Sequence, residues 1–417
     1  MAAKFLSRLK LQLEPVAWNN FRYDATASMM FSMFNVVFNQ FYMPMAIREG
    51  ATNLQVGMLA AAPAVGLLFS PLWASFIERG RPKPYVVLPN LIGRALILLP
   101  AFFGAPVVYV ITALFFQVLM GVQAPAYASL VTQLYPPQHR GKLMANVRVL
   151  MGILMIPLAY VIGSWTDASG PSGPLIVASI TGVLSILIFS RVRESGTAEP
   201  RKIKAKRVSL REQMQLVREN KELAIFLLAT TFSGFGNILA APLYQIIQVD
   251  LLQLSNVQIG LARVAYYSCL LTSYFVVGWV IDRYSAKHTM VYGIAAFAVV
   301  PLLYAVFGNY PAVLVGSGIQ GLGDAIWDIG ILAYVFRLAP GREAVVFGLH
   351  LLLFGIRGTV APILSTLLSG SVPLSALLLG AAVCGAIGIA VFVMMGKQGK
   401  DVQAGRDYGG AAGKELH

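Results

Sequence analysis

Asp324 and Asp328 stand four residues apart in an otherwise apolar stretch, and Arg148, Arg263 and Arg357 interrupt three other apolar stretches in the same way. An ionised group inside hydrocarbon is costly unless it is paired or hydrated, so charge kept at such positions points to ion or proton handling. Counting from the ends of the stretches puts Asp324 and Arg357 at similar depth, which makes Arg357 the natural partner and Arg263 and Arg148 further candidates. A carboxylate that takes up a proton while an arginine competes for it can couple proton movement to a change of shape. The same residues also suit a fixed pair that only holds two helices together.

Amides and aromatics form a second group. Asn35, Asn39 and Tyr42 fall at i, i+4 and i+7, one face of a helix. Asn237, Tyr244, Gln245 and Gln248 lie near one stripe, and Gln320, Asp324, Trp327 and Asp328 form another, flanked by Gly321 and Gly323. Gln117 adds an amide to a further stretch. Amides offer donors and acceptors to a small molecule, and aromatic faces offer apolar contact; each amide could equally pin two helices. His350, seven residues before Arg357, reads as packed, as do Cys269 and Cys384. Gly321-Leu-Gly-Asp324 and Tyr23-Asp24 match the two motifs of intramembrane aspartyl proteases. Three hundred residues separate them, however, and the Pro-Ala-Leu motif of those proteases is missing. With no zinc-binding pair, phosphate loop or nucleophile elbow, neither an enzyme nor a cofactor or metal is expected.

The chain that must position these groups has 417 residues, 57% hydrophobic and only 12% charged. A soluble protein carries roughly 25% charged residues, so a water-soluble body of this size is excluded. Spans of about 20 residues cross the hydrocarbon, and apolar runs between breakers place twelve, near 22–46, 54–77, 85–103, 106–134, 142–164, 173–190, 223–248, 256–281, 288–307, 310–337, 343–368 and 372–395. The expected fold is all-α and polytopic: an amphipathic surface segment over 1–21, six spans over 22–190, a basic central loop over 191–222, six spans over 223–395 and a tail over 396–417. Within the loop, Ser209-Leu-Arg-Glu212 has the pattern of a capping box that starts a helix.

With the N-terminus inside, 27 of the 32 lysines and arginines fall in inside segments, and only Arg48 falls outside. That asymmetry places both termini in the cytoplasm and the chain in the cytoplasmic membrane. The net charge of +14 then speaks for anionic lipid headgroups and against nucleic acid. A monomer is the expected state.

The halves repeat. Asn53-Leu-Gln55-Val-Gly57 returns as Asn256-Val-Gln258-Ile-Gly260 at an offset of 203, and Gln117 returns as Gln320 at the same offset. Parallel repeats of six spans are common in secondary transporters. Gly278-Trp-Val-Ile-Asp282-Arg283, followed by Lys287, resembles the signature loop of the major facilitator superfamily; Glu78-Arg79, followed by Lys83, is its degenerate counterpart in the first half. The resemblance extends over residues 20–395 in span number, repeat and loop charges.

It implies two six-helix bundles, a central cavity built by spans one, four, seven and ten, and peripheral spans six, nine and twelve. In the family the signature loops, here Gly278, Asp282, Arg283, Lys287, Glu78, Arg79 and Lys83, form a cytoplasmic gate that stabilises the outward-facing state. The implied activity is proton-coupled transport of a small organic solute by alternating access. Alternatives on the same fold are an efflux antiporter and a receptor or lipid-handling protein that does not transport. The family's fourth-span arginine is Gln117 here, and the fifth-span antiporter pattern survives only as Gly152, Pro157 and Gly163. Three buried arginines against two buried acids favour an anionic or zwitterionic solute.

Overall fold

In hydrocarbon a backbone must satisfy its hydrogen bonds internally, which leaves an unclosed apolar chain only the helix. The computed structural model describes residues 13–70, 73, 77, 81–194, 210–283, 286–338 and 343–411, and no strand occurs among them. The first span is α1 (Pro15–Val36), a π-helical turn (Val37–Phe41) and α2 (Tyr42–Arg48). The second is α3 (Asn53–Leu68); the third is α4 (Pro82–Leu96) with α5 (Leu99–Phe103). The fourth to sixth are α6 (Pro106–Leu134), α7 (Pro137–Ser169) and α8 (Ser172–Phe189). After α9 (Leu210–Glu219) come the seventh, α10 (Lys221–Ile246) with a π-helical turn (Ile247–Leu251), and the eighth, α11 (Asn256–Arg283). The last four are α12 (Ala286–Phe307), α13 (Tyr310–Leu338), α14 (Glu343–Leu368) and α15 (Leu374–Ala411).

Pro15, Pro82, Pro106 and Pro137 open helices, where the missing N–H removes no intrahelical bond. Among the described residues nine helices are long and apolar enough to cross a membrane. The first, second and tenth spans complete the twelve.

Residues 1–12 of the expected surface segment lie outside the described residues. From Pro15 the chain is already helical, and Asn20 anchors the far end of the bundle: its Nδ2 donates to the Arg193 carbonyl at 2.9 Å and its Oδ1 accepts from the Arg193 N–H at 2.8 Å. The helix expected after Ser209 forms as α9 and lays Leu216 and Val217 on the second half. α15 runs beyond residue 395 to Ala411.

Each half packs the same way. The first span packs on the fifth and sixth, the second on the fourth, and the third on the fourth and sixth. In the second half the seventh packs on the eleventh and twelfth, the eighth on the tenth, and the ninth on the tenth and twelfth. Two seams join the halves, second against eleventh and fifth against eighth. Exchanging the halves turns one seam into the other, as the internal repeat requires.

The apolar cores divide the molecule by height. Toward the end carrying residues 49–52, 170–171, 252–255 and 369–373, a single core runs through both halves, from Phe34, Phe41, Tyr109 and Ile162 to Leu243, Ile259, Val313 and Leu378. Toward the opposite end the first half has its own core around Phe21, Leu130, Leu143 and Phe189, and the second half another around Leu223, Phe226, Met290 and Phe392. Among the described residues, one end is closed by a core shared across the halves, and toward the other each half has a core of its own.

Candidate solute pathway

A cavity of about 260 Å³ lies just inside the closed end, between the first, second, fourth and seventh spans. Asn39, Gln40, Gln117 and Gln245 line it, with Phe38, Met43, Leu59 and Pro63 among its apolar walls. Asn39, Gln117 and Gln245 come from three different spans yet reach one space. Asn35 and Asn237 stand one and two turns further from the closed end along the faces of Asn39 and Gln245, by helical spacing.

The π-helical turn explains why Gln40 joins Asn39 here. Pro44 has no N–H to give the carbonyl four residues back, which loosens the ladder at Gln40, and the turn Val37–Phe41 carries the extra residue. A strict 3.6-residue period would point Gln40 away from Asn39. Tyr42 edges the cavity, but its hydroxyl is committed: it donates to the Tyr109 carbonyl at 3.0 Å and meets the Thr112 hydroxyl at 2.5 Å. Gln117 is set by close approach of the second and fourth spans, where a Cβ on Gly66 would meet the Gln117 carbonyl and one on Gly121 the Gly66 carbonyl. Tyr244 faces elsewhere, its ring centroid 4.5 Å from that of Tyr304 on the ninth span.

Of the charged groups singled out in the sequence, Asp324, Asp328, Arg263 and Arg357 belong to the second half and Arg148 to the first. Asp324 accepts from the Tyr266 hydroxyl at 2.8 Å and from Gln320 Nε2 at 3.1 Å. Asp328 is exposed and accepts from the Tyr274 hydroxyl at 2.6 Å. Both acids are thus held by tyrosines of the eighth span, which packs closely on the tenth because Gly321 faces the Tyr266 carbonyl.

The expected partner of Asp324 is engaged elsewhere. Arg357 is 4% exposed and donates through Nη1 to the Thr230 carbonyl at 2.7 Å. It fits because Gly234 of the seventh span leaves the space its guanidinium fills. In this conformation the Asp324–Arg357 pair is therefore not made. Arg263 lies among Tyr266, Tyr267 and Tyr304, 3.5 Å from Gln248 Oε1, and Gln248 in turn donates to Tyr304 at 2.8 Å. Arg148 is exposed on the fifth span, near Tyr274 and Tyr127. Trp327 packs against Phe297 and His350 in the second half.

Sequence reasoning missed a second polar space. Inside the first half, away from the closed end, a cavity of about 210 Å³ is lined by Asp24, Asn90, Arg94, Gln123, Tyr127 and Arg148, among others. Asp24 is 3% exposed and accepts from Tyr135 at 2.6 Å. Arg94 braces the bundle rather than reaching for water: it donates to Asn90 Oδ1 at 2.8 Å, to the Gly182 carbonyl at 3.0 Å and to Ser185, and lies over the Phe31 ring. The available signal was the pair of in-span residues Asn90 and Arg94, spaced four apart.

At the closed end the repeated motif explains itself. Thr52 and Gln55 form a capping box at the start of the second span, and Ser255 and Gln258 exchange the same two bonds at the start of the eighth. One turn later Gly57 meets Thr366 and Ile363 of the eleventh span, and Gly260 meets the Ala159 carbonyl of the fifth. The seams differ in their polar ties. Asp167, at the end of the fifth span, accepts from the Asn256 N–H at 2.9 Å, Asn256 Nδ2 at 2.7 Å and the Val257 N–H at 2.9 Å. A carboxylate from one half thus caps a helix N-terminus of the other. At the other seam Asn53 Nδ2 donates to Ser369 Oγ at 2.9 Å. Arg48 also reaches across, to the Leu254 carbonyl, and Gln40 donates to the Tyr267 hydroxyl at 2.9 Å.

Of the gate loops, Glu78 and Arg79 lie outside the described residues. Gly278, Asp282 and Arg283 close α11 and Lys287 opens α12; their side chains are not among those described. Lys83 ties its own half together, donating from Nζ to the Val192 carbonyl at 2.9 Å and from its backbone N–H to Glu194 at 3.1 Å.

A sequence model described as Major Facilitator Superfamily matches residues 25–249 and again 226–409, once along each half. No curated protein matches the chain. Among solved structures, a mutant of the nucleoside transporter NupG is similar with a TM-score of 0.72 at 14% identity, over 90% of this chain and 99% of that one. A bacterial homologue of the human lysosomal transporter Spinster, in an inward-facing and occupied conformation, is similar with a TM-score of 0.66 at 12% identity, over 92% and 98%. At such identities the likeness establishes the arrangement of helices: twelve, in two six-helix bundles.

Proposed function

We propose that this chain, which belongs to the Major Facilitator Superfamily, moves a small organic solute across the cytoplasmic membrane by alternating access, driven by a proton gradient. The observation that carries the reading is the division of the cores: one core spans both halves at one end, while two separate cores serve the other, with an amide-lined cavity at the transition. A cavity sealed on one side by shared packing and flanked on the other by independent lobes is one state of a rocking pair.

The basic segments lie at the open end, so the positive-inside bias turns that end to the cytoplasm and makes this the inward-facing state. Both termini then lie inside, and the basic sequence Arg201–Arg207 suits anionic headgroups by its charge. The chain works as a monomer, since each half supplies part of the pathway.

Asp324 is the coupling group in this reading. Its two partners, Tyr266 and Gln320, are neutral, so gain or loss of a proton breaks no ion pair in this state. Rocking slides the eighth span against the fifth and changes the surroundings of Asp324 and Asp328, with Arg148 the nearest cation on the facing half. The likeness in fold to the nucleoside transporter NupG makes nucleosides a sensible first group to screen. In proteoliposomes, Asp324→Asn is expected to abolish uptake driven by a pH gradient while retaining counterflow of the solute. Undiminished pH-driven uptake by this variant would remove Asp324 from the mechanism.

A further inference from the structure

We infer that the solute taken by the cavity below the closed end is uncharged and is recognised by paired hydrogen bonds to carboxamides; this rests on the carrier reading above. Fourteen residues line the cavity, and none is Asp, Glu, Lys, Arg or His. Its polar groups are the carboxamides of Asn39, Gln40, Gln117 and Gln245 and the committed hydroxyl of Tyr42.

The charge count of the sequence favours an anionic or zwitterionic solute, and the structure explains why that count misleads. Arg357 is turned to the Thr230 carbonyl. Arg263 lies behind the Gln40–Tyr267 hydrogen bond and faces Gln248. Arg148 stands at the far end of the fifth–eighth seam, near Tyr274. No guanidinium is left to meet an anion in this space, and no carboxylate to meet a cation. Stripping water from a full charge costs several kcal/mol, which amide dipoles alone do not return.

An uncharged polar solute faces a smaller desolvation cost, and the cavity is equipped for it. Each carboxamide presents donors and an acceptor in one plane, the pattern that matches vicinal hydroxyls or the edge of a cyclic amide. Gln245 Oε1 is buried without a hydrogen-bond partner, and an unmet buried acceptor costs about 1–3 kcal/mol until a donor arrives. Gln40 is held in place by Tyr267 and so is oriented before the solute enters. Phe38, Leu59 and Pro63 supply the apolar wall for a ring face. The volume of about 260 Å³ falls below the roughly 300–1,000 Å³ of drug-sized sites, which limits the solute to about the size of a monosaccharide or a nucleobase.

The test uses the purified full chain with four probes, xylose and uracil as neutral solutes, lactate as an anion and choline as a cation. Thermal stabilisation and counterflow in liposomes are both read. A neutral probe is expected to stabilise the protein, and its apparent affinity to fall at least tenfold in Gln117→Leu and in Gln245→Leu, with Gln117→Asn retaining part of it. The melting temperature of each variant without solute reports its folding, and only variants that melt as the parent does are compared. Lactate or choline binding that survives both leucine substitutions overturns the inference and leaves the carrier reading standing. Absence of counterflow with all four probes and with a nucleoside overturns the carrier reading, and the inference with it.

Discussion

The two seams that join the halves grow from one duplicated motif, yet they are tied differently. At the second–eleventh seam Gly57 sits against Thr366 and Ile363, and the polar tie is the bond from Asn53 to Ser369. At the fifth–eighth seam Gly260 sits against the Ala159 carbonyl and Gly163 against Asn256, and Asp167 caps the eighth helix across the boundary. The same seam continues toward the open end through Gly152 against Leu271 to Arg148 near Tyr274, which holds Asp328. One seam is a smooth contact of small residues; the other has polar machinery at both heights. The repeated motif gives both seams the same geometry, and the cross-boundary carboxylate cap belongs to one of them.

Four substitutions break or sharpen that contrast. The largest effect is expected from Gly260→Val, because the atom in the way is a backbone carbonyl that cannot swing aside; overpacking of this kind costs about 1–3 kcal/mol. Gly57→Val should cost less, since the nearest obstacle, the Thr366 hydroxyl, belongs to a side chain. Cross-linking yield between cysteines placed at the two seams ranks the pair, and equal loss at both would erase the distinction.

Asp167→Ala comes next. Loss of a capping side chain costs about 1 kcal/mol, roughly a fivefold shift away from the state closed at this end. Spin-label distances between the ends of the fifth and eighth spans should show a second, longer population in this variant. Unchanged distances would make the cap ornamental. Asn53→Ala is expected to be the mildest, a few tenths of a kcal/mol for one exposed hydrogen bond, with the distance distribution at its own seam close to that of the parent.

The helices and their grouping were legible in the sequence because hydrocarbon leaves so few choices: apolar length and breakers determine the spans. The repeat was legible as letters, and its meaning, a capping box followed by a glycine at the seam, needed the packing to be seen. Asn39 and Gln245 were singled out by helical period and Gln117 by the repeat, and the three line one cavity. Gln40 was not, because a π-helical turn breaks that period, though Pro44 marks the place. The pairing of Asp324 with Arg357 failed as an inference from depth alone: depth says nothing about rotation, and Gly234 and the Thr230 carbonyl turn Arg357 to its own bundle. Asp167 was overlooked because a charged residue at a span end resembles any loop residue until the helix it caps is known.

Access to Asn39 tests the central claim most directly. In oriented vesicles carrying Asn39→Cys, with Cys269 and Cys384 replaced, a membrane-impermeant thiol reagent should react from the side bearing the basic loops and not from the other. Adding Asp167→Ala should open reaction from the opposite side. Equal reaction from both sides in the parent, or none from the basic side, would contradict a pathway closed at one end and open at the other.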